Sequence, residues 1–223
     1  MDKIEIVELK ESIFKNNDER AKILRDELLK KGVLLVNVMS SPGSGKTTTL
    51  VRTINELKNK YSFGVMEADI DGDCDAYTIQ EKTGAKVNQL HTGGMCHLDS
   101  DMTRQGLDSL GINNLDCVFL ENIGNLVCPA EFDTGAMLNV EILSIPEGDD
   151  KPLKYPLMFS VCDVVLINKI DTKAVFDFDI QKCEENIKKL NKDTIVIPIS
   201  SKTGEGFENW IKYLDEQIRK IKK

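Results

Sequence analysis

No apolar run in this 223-residue chain approaches the roughly 20 residues that a membrane-spanning helix requires. Residues 1–15 mix charges throughout and offer no apolar core for a secretory leader. Internal repeats and low-complexity stretches are absent, and so is any excess of positive charge: the net charge is −8. These absences exclude a membrane span and a repeat array, and they argue against nucleic acid as the main partner, because neutralising phosphates calls for a basic face. The basic tail Arg219–Lys223 reads as a solvated helix end, where cations suit the helix dipole. The expected compartment is the cytoplasm, where the six cysteines (Cys74, Cys96, Cys117, Cys128, Cys162 and Cys183) stay reduced and serve as packing residues or metal ligands. Histidine is scarce, with only His91 and His97. What is present, 41% hydrophobic and 30% charged residues, suits one well-buried α/β domain with insertions; the chain is short for two.

From about Glu8 to Lys31, apolar residues at Ile13, Phe14, Ala21, Ile23, Leu24, Leu28 and Leu29 alternate with charges, the spacing of an amphipathic helix that Gly32 would cap. Residues 1–32 are therefore expected to form an N-terminal helix packed on a domain spanning 33–223. Strands are expected near 33–39, 62–68, 86–91, 115–121, 137–145, 163–168 and 194–199. Helices are expected near 46–59, 74–83, 98–110, 152–161, 179–190 and 205–221. Such alternation, with β-branched strands, predicts a mostly parallel sheet with helices on both faces. Ligands of such sheets bind beyond the carboxyl ends of the strands. The segment Asn122–Gly135 is the longest without a period, and long ordered loops are often functional.

Ser40–Thr48 reads S-S-P-G-S-G-K-T-T, between the apolar run Val33–Met39 and a helical pattern. A strand, a glycine-rich turn and a helix start make an anion-binding nest, which places the chain in the P-loop NTPase fold. Gly43, Ser44 and Gly45 turn their amides toward phosphate, Lys46 supplies charge to the β- and γ-phosphates, Thr47 offers a hydroxyl to Mg²⁺, and Thr48 completes the motif. The motif's usual first glycine is Ser40 here. Glu121-Asn122-Ile123-Gly124 ends another apolar run, so Glu121 can hold Mg²⁺ and the Gly124 amide can meet the γ-phosphate. Asp69-Ile70-Asp71 follows a strand end beside this loop and is expected to be the first switch, with Asp75 at its far end. The roles of Asp71, Asp73 and Asp75 stay open, with Asp75 a candidate for orienting water.

Asn168-Lys169-Ile170-Asp171 follows the apolar run Val164–Ile167. The Asp171 carboxylate can accept from guanine N1–H and its 2-amino group, a pair adenine lacks. Asn168 can brace the loop and the Lys169 stem can lie along the ring. Ser200-Ser201-Lys202 brings a backbone amide to guanine O6. Losing a buried hydrogen-bonded pair discriminates strongly against the wrong base. The phosphate loop, N-K-I-D and S-S-K in that order imply a GTPase using GTP/GDP and Mg²⁺.

Cys96-His97 sits between Gly93-Gly94 and an expected helix, and Cys128-Pro129 lies just past Gly124. Two thiolates and an imidazole form a soft-to-borderline donor set suited to Zn²⁺ or Ni²⁺. Three ligands leave a tetrahedral site open to water or a second subunit. Cys117, Cys162 and Cys183 fall in regular elements and read as packing residues, His91 reads as structural, and Cys74 is unassigned. Because Cys128 follows Gly124 closely, a γ-phosphate contact and a metal contact would act on one loop.

Together, S-S-P-G-S-G-K-T, G-G-M-C-H-L-D at Gly93–Asp99, E-N-I-G-N-L-V-C-P-A-E-F-D at Glu121–Asp133, P-E-G-D-D-K-P-L-K-Y-P at Pro146–Pro156 and N-K-I-D resemble the HypB family of hydrogenase nickel-incorporation GTPases, over nearly the whole chain. The resemblance implies a GTPase that forms a homodimer when GTP-bound and helps deliver nickel to the hydrogenase large-subunit precursor. It implies a metal site of Cys96, His97 and Cys128 at the dimer interface, a magnesium-linked switch residue at Asp69, and contact of a partner nickel chaperone with the N-terminal helix. Lys151 and Lys154 would reach a neighbouring subunit's nucleotide. The N-terminal cysteine cluster and histidine-rich stretch of some members are lacking. With no glutamine near Glu121–Gly124 to position water, intrinsic hydrolysis is expected to be slow. Rival readings are the urease nickel-insertion GTPase, which carries a Cys-Pro-His motif instead, and a P-loop kinase with merely structural cysteines.

Overall fold

Runs such as L-L-V-N-V-M and V-V-L-I-N bury every residue and therefore need cover on both faces of the sheet they enter. The structure, a computed structural model describing residues 5–8, 17–69 and 72–222, provides it. Eight strands run in chain order: β1 (Glu5–Glu8), β2 (Leu34–Met39), β3 (Phe63–Asp69), β4 (Lys86–His91), β5 (Cys117–Glu121), β6 (Leu138–Ser144), β7 (Val164–Asn168) and β8 (Ile195–Pro198). They form one sheet in the order β1-β4-β3-β5-β2-β6-β7-β8, every pair parallel.

The helices are α1 (Asn17–Lys31), α2 (Lys46–Leu57), α3 (Cys74–Thr83), α4 (Ser100–Leu110), α5 (Lys151–Lys154), α6 (Pro156–Val161), α7 (Ile180–Leu190) and α8 (Phe207–Ile221). Period-two alternation in β2 splits its side chains between two layers. Leu34, Val36 and Val38 pack with Leu50 and Ile54 of α2, Ile79 of α3, and Trp210 and Leu214 of α8. On the opposite face Leu35 packs with Leu24 of α1 and Met102 of α4, while Met39 packs with Phe159 of α6 and Ile187 of α7. Trp210 is buried with its indole N–H satisfied, donating to Thr53 Oγ1 at 2.9 Å.

Between the two clusters of that second face runs a polar seam. Asn122 Nδ2 donates to Asn37 Oδ1 at 3.0 Å, and Asn37 Nδ2 donates to Asn139 Oδ1 at 3.1 Å, crossing β2 from the end of β5 to β6. Buried amides in such a position need each other.

Most expected elements appear within about two residues of their expected bounds. Two differ. Residues Glu5–Glu8 form an edge strand on β4, so the N-terminal helix does not begin at Glu8; it is described from Asn17, and Ile13 and Phe14 lie outside the described residues. The expected helix 152–161 is two short ones, parted at Tyr155, because a residue preceding proline is pushed out of the helical region. No helix among the described residues is long and apolar enough to cross a membrane.

Candidate functional site

β2 lies between β5 and β6, so its carboxyl end opens on a crevice where the chain leaves in different directions on either side. The glycine-rich turn stands there. Gly45 caps α2 in the left-handed region at φ 104°, and a Cβ on it would come within 2.6 Å of Asn168 Nδ2, so the position requires glycine on two counts. Gly43 is also left-handed, and Ser44 is buried. Lys46 Nζ donates to Ser40 Oγ at 3.0 Å, which places serine at the motif's usual first glycine in a useful role. Thr48 is exposed on the first turn of α2.

Thr47 Oγ1 donates to Glu121 Oε1 at 3.0 Å. Oxygens of Glu67, Asp75 and Glu121 all lie within 4.8 Å of one another. They line a cavity of ≈ 310 Å³ together with Gly43, Lys46 and Gly124. The second oxygens of Glu67 and Glu121 are buried without a hydrogen-bond partner. Burial, reinforced by the neighbouring Glu121 carboxylate, pushes Glu67 up to about 8. Burial pushes Glu121 up to about 7, against the pull of Lys46. Crowded, half-satisfied carboxylates beside a threonine hydroxyl and a phosphate nest suit a hard divalent cation such as Mg²⁺. Asp69, expected as the magnesium-linked residue, lines the same cavity but is not one of the three: it is exposed and its Oδ1 accepts from Gly72 N at 3.1 Å. Glu67, which the motifs did not single out, is. The signal was present as one carboxylate inside the otherwise apolar F-G-V-M-E-A. Asp71 lies outside the described residues, Asp73 precedes α3, and Asp75 joins the carboxylates.

The motifs expected to read the base come together. Asn168 Nδ2 donates to Ser44 O at 2.9 Å, and its Oδ1 accepts from Ser201 N and Ser201 Oγ, each at 3.0 Å. Ser201 Oγ also lies 2.7 Å from Thr49 Oγ1 in α2. Lys169 is the one non-glycine with positive φ among the described residues, at 62°, and its Nζ donates to Gly43 O at 2.6 Å. Asp171 is exposed, with one oxygen held by Ser200 Oγ at 2.7 Å, and Lys202 is exposed beyond it. One carboxylate oxygen is thus fixed by the protein while the carboxyl faces solvent at the rim.

The sulfurs of Cys96 and Cys128 lie 2.7 Å apart, half-buried, although the two residues sit in different loops. The Cys96 thiol raises the affinity of Cys128 for its proton, and burial adds to this. Asn125 shapes the Cys128 turn, accepting from Val127 N at 2.7 Å and Cys128 N at 3.3 Å. A tetrahedral Zn²⁺ would hold two thiolates about 3.8 Å apart, so the pair needs only to spread slightly to take a soft cation. His97 is not gathered with them: its ring stacks on Phe132, centroids 3.8 Å apart and planes 9° apart. The single group of three close ligand atoms among the described residues is the carboxylate one. Gly124, four residues before Cys128, packs on the phosphate loop, where an added Cβ would stand 3.0–3.2 Å from atoms of Pro42.

Cys117, Cys162 and Cys183 are buried in the core as expected, and Cys74 is exposed at the start of α3. Lys154 pairs with Asp150 at 2.5 Å, and Lys151 lies over the Tyr155 ring.

A family profile described as the CobW/HypB/UreG nucleotide-binding domain matches residues 34–198, from β2 to the end of β8. The hydrogenase maturation factor HypB of Rhizobium leguminosarum bv. viciae is 41% identical, the match covering 94% of this chain and 70% of that protein. The hydrogenase/urease maturation factor HypB of Helicobacter pylori is 38% identical, with 96% and 88% covered. A crystal structure of HypB from Helicobacter pylori in complex with nickel superposes with a TM-score of 0.86 at 38% identity, covering 92% of this chain and 96% of that one. The chain therefore belongs to the CobW/HypB/UreG family of nucleotide-binding proteins, among the hydrogenase maturation factors HypB.

Proposed function

We propose that this protein is a GTP-hydrolysing metallochaperone in which the state of the nucleotide governs a soft metal ion, nickel or zinc, on its way to a [NiFe]-hydrogenase large subunit. One observation carries the reading. Gly124, set to meet a γ-phosphate, rests on Pro42 of the phosphate loop, and four residues later Cys128 brings its sulfur to Cys96. Phosphate and metal thus act on the same short segment. The nickel-bound relative supports nickel as the cargo.

Thr47 and Glu121 would hold Mg²⁺, with Glu67 and Asp75 beside them, and the ion would neutralise charge on the phosphates. Lys46 stabilises charge on the transferring phosphoryl group, and Asp75, the exposed member of the carboxylate group, orients water. Cys96 and Cys128 supply thiolates. His97 joins them by leaving Phe132, and a second copy completes the site in a GTP-bound homodimer. Exposed Leu153 and Leu157, together with Lys151 and Lys154, support a protein contact on this segment. A partner nickel chaperone would meet α1. Because the Helicobacter pylori relative is named for both hydrogenase and urease, a urease client is the alternative destination.

Guanine preference separates this from a kinase. Asp171→Asn is expected to weaken GTP about 100-fold while improving xanthosine triphosphate, and wild type should release phosphate slowly from GTP and not ATP. Equal binding of ATP and GTP by wild type would overturn the proposal.

A further inference from the structure

Resting on the metal reading above, we infer that Asn17, the first residue of α1, is a positioning residue: a clasp whose one side chain fixes the two cysteine loops at the spacing that brings their sulfurs together. Its Nδ2 donates to Asp133 O at 2.9 Å, in the loop of Cys128. Its Oδ1 accepts from Ser100 N at 3.0 Å and Ser100 Oγ at 2.8 Å, four residues after Cys96. Asp133 and Ser100 are 33 residues apart in sequence, so the amide ties the start of α4, where the Cys96 loop ends, to the Cys128 loop.

The contact is built, not casual. Ser100 is 2% exposed, and Asp99 beside it caps α4 by accepting from Met102 N at 2.8 Å. On the other loop, Arg25 of α1 holds both carboxylate oxygens of Asp133, at 2.7 and 2.9 Å, and donates through Nε to Ala136 O at 3.0 Å. Gly135 lies against Leu24, where an added Cβ would stand 2.8 Å from Cδ2. α1 is itself tied to α4, Arg104 donating to Glu27 at 2.7 Å. From this base the two loops rise to meet at the Cys96–Cys128 pair and the His97–Phe132 stack. A thiol pair is a bidentate donor only if its two loops keep their distance, so an amide that bonds to both sets how much ordering the metal must impose.

The chemistry of the amide separates this role from simple helix capping. An aspartate at 17 is as good a cap and dipole partner as asparagine. It still accepts from Ser100, but has no N–H to give Asp133 O. A clasp therefore fails with Asn17→Asp and a cap does not.

The test uses the full chain carrying Cys74→Ser, which removes the exposed unrelated thiol. Two readouts are taken. One is the rate at which glutathione disulfide closes the Cys96–Cys128 bond: two protein thiols are oxidised to one disulfide while the reagent is reduced to two glutathione thiols. The other is nickel affinity in competition with a chromophoric chelator. Asn17→Ala and Asn17→Asp are both expected to slow bond closure and to weaken nickel about tenfold with GDP affinity unchanged, and Asn17→Ala, which leaves the buried Ser100 N–H unpaired, to lower the thermal midpoint by a few degrees as well. The inference is overturned if both variants match wild type, or if Asn17→Asp matches wild type while Asn17→Ala does not. A wild type that takes no nickel through these thiols removes the metal reading, and the rate of bond closure still decides whether Asn17 is a clasp.

Discussion

The nucleotide half of this site and its sulfur half are built by opposite means. Around the base, Asn168 ties the phosphate loop to the S-S-K turn through three hydrogen bonds, and Lys169 and Thr49 add two more links. Asn168 ends β7 and Thr49 stands on the first turn of α2, so regular elements anchor this network on two sides. Around the metal candidates, by contrast, two loops meet through a pair of thiols and one ring stack, and are held from below by α1. The first half is preorganised for a ligand of fixed shape. The second leaves His97, the proposed third ligand, stacked on Phe132.

The comparison can be broken most severely at Gly45. Gly45→Ala puts a Cβ into the Asn168 amide from a left-handed backbone. We expect GDP affinity by calorimetry to fall at least about 100-fold, with nickel affinity of the nucleotide-free protein changed by less than about threefold. Equal loss of both would mean that the halves are one cooperative unit.

Next in size is a pH effect confined to the nucleotide half. Folding lifts Glu67 to about 8 and Glu121 to about 7, from 4.5 in the unfolded chain. Between these values the folded state holds protons that the unfolded state has released, so stability present below 4.5 is lost as pH rises through about 7 and 8. Thermal or denaturant unfolding of the nucleotide-free protein should show a decline of several kcal/mol between pH 5 and 8.5, most of it complete by pH 8. Glu67→Gln should flatten much of it; a profile already flat in wild type would contradict the burial argument.

The smallest effect sits at the junction. Gly124→Ala presses on the Pro42 backbone, which can give only by a few tenths of an ångström. A loss of about 1 kcal/mol in stability and a severalfold weaker GTP analogue are expected, with GDP little affected. If GTP analogue and GDP weaken alike, Gly124 does not face the γ-phosphate.

Much of this was legible in the sequence because it is written in local pattern. Strand and helix bounds followed apolar period and glycine or proline punctuation, and the phosphate and base motifs carry their own flanking elements. The break at Tyr155 was missed, although Pro156 marks it. β1 was not legible, since four residues, E-I-V-E, are too few for a period to emerge. Glu67 was legible only in part: its lone charge in an apolar strand marked it, but its partners Asp75 and Glu121 come from other elements. Asn17 and the stacking of His97 on Phe132 could not be read at all. They depend on which loops the sheet order sets side by side, and no local spacing encodes that.

The link between the two halves is tested most directly by titrating nickel into the protein bound to GDP and, separately, to a non-hydrolysable GTP analogue, at fixed pH and protein concentration. Because Gly124 and Cys128 share one short segment, the account predicts affinities differing by about fivefold or more, and the difference abolished by Cys128→Ala. Identical nickel affinities in the two nucleotide states would contradict it.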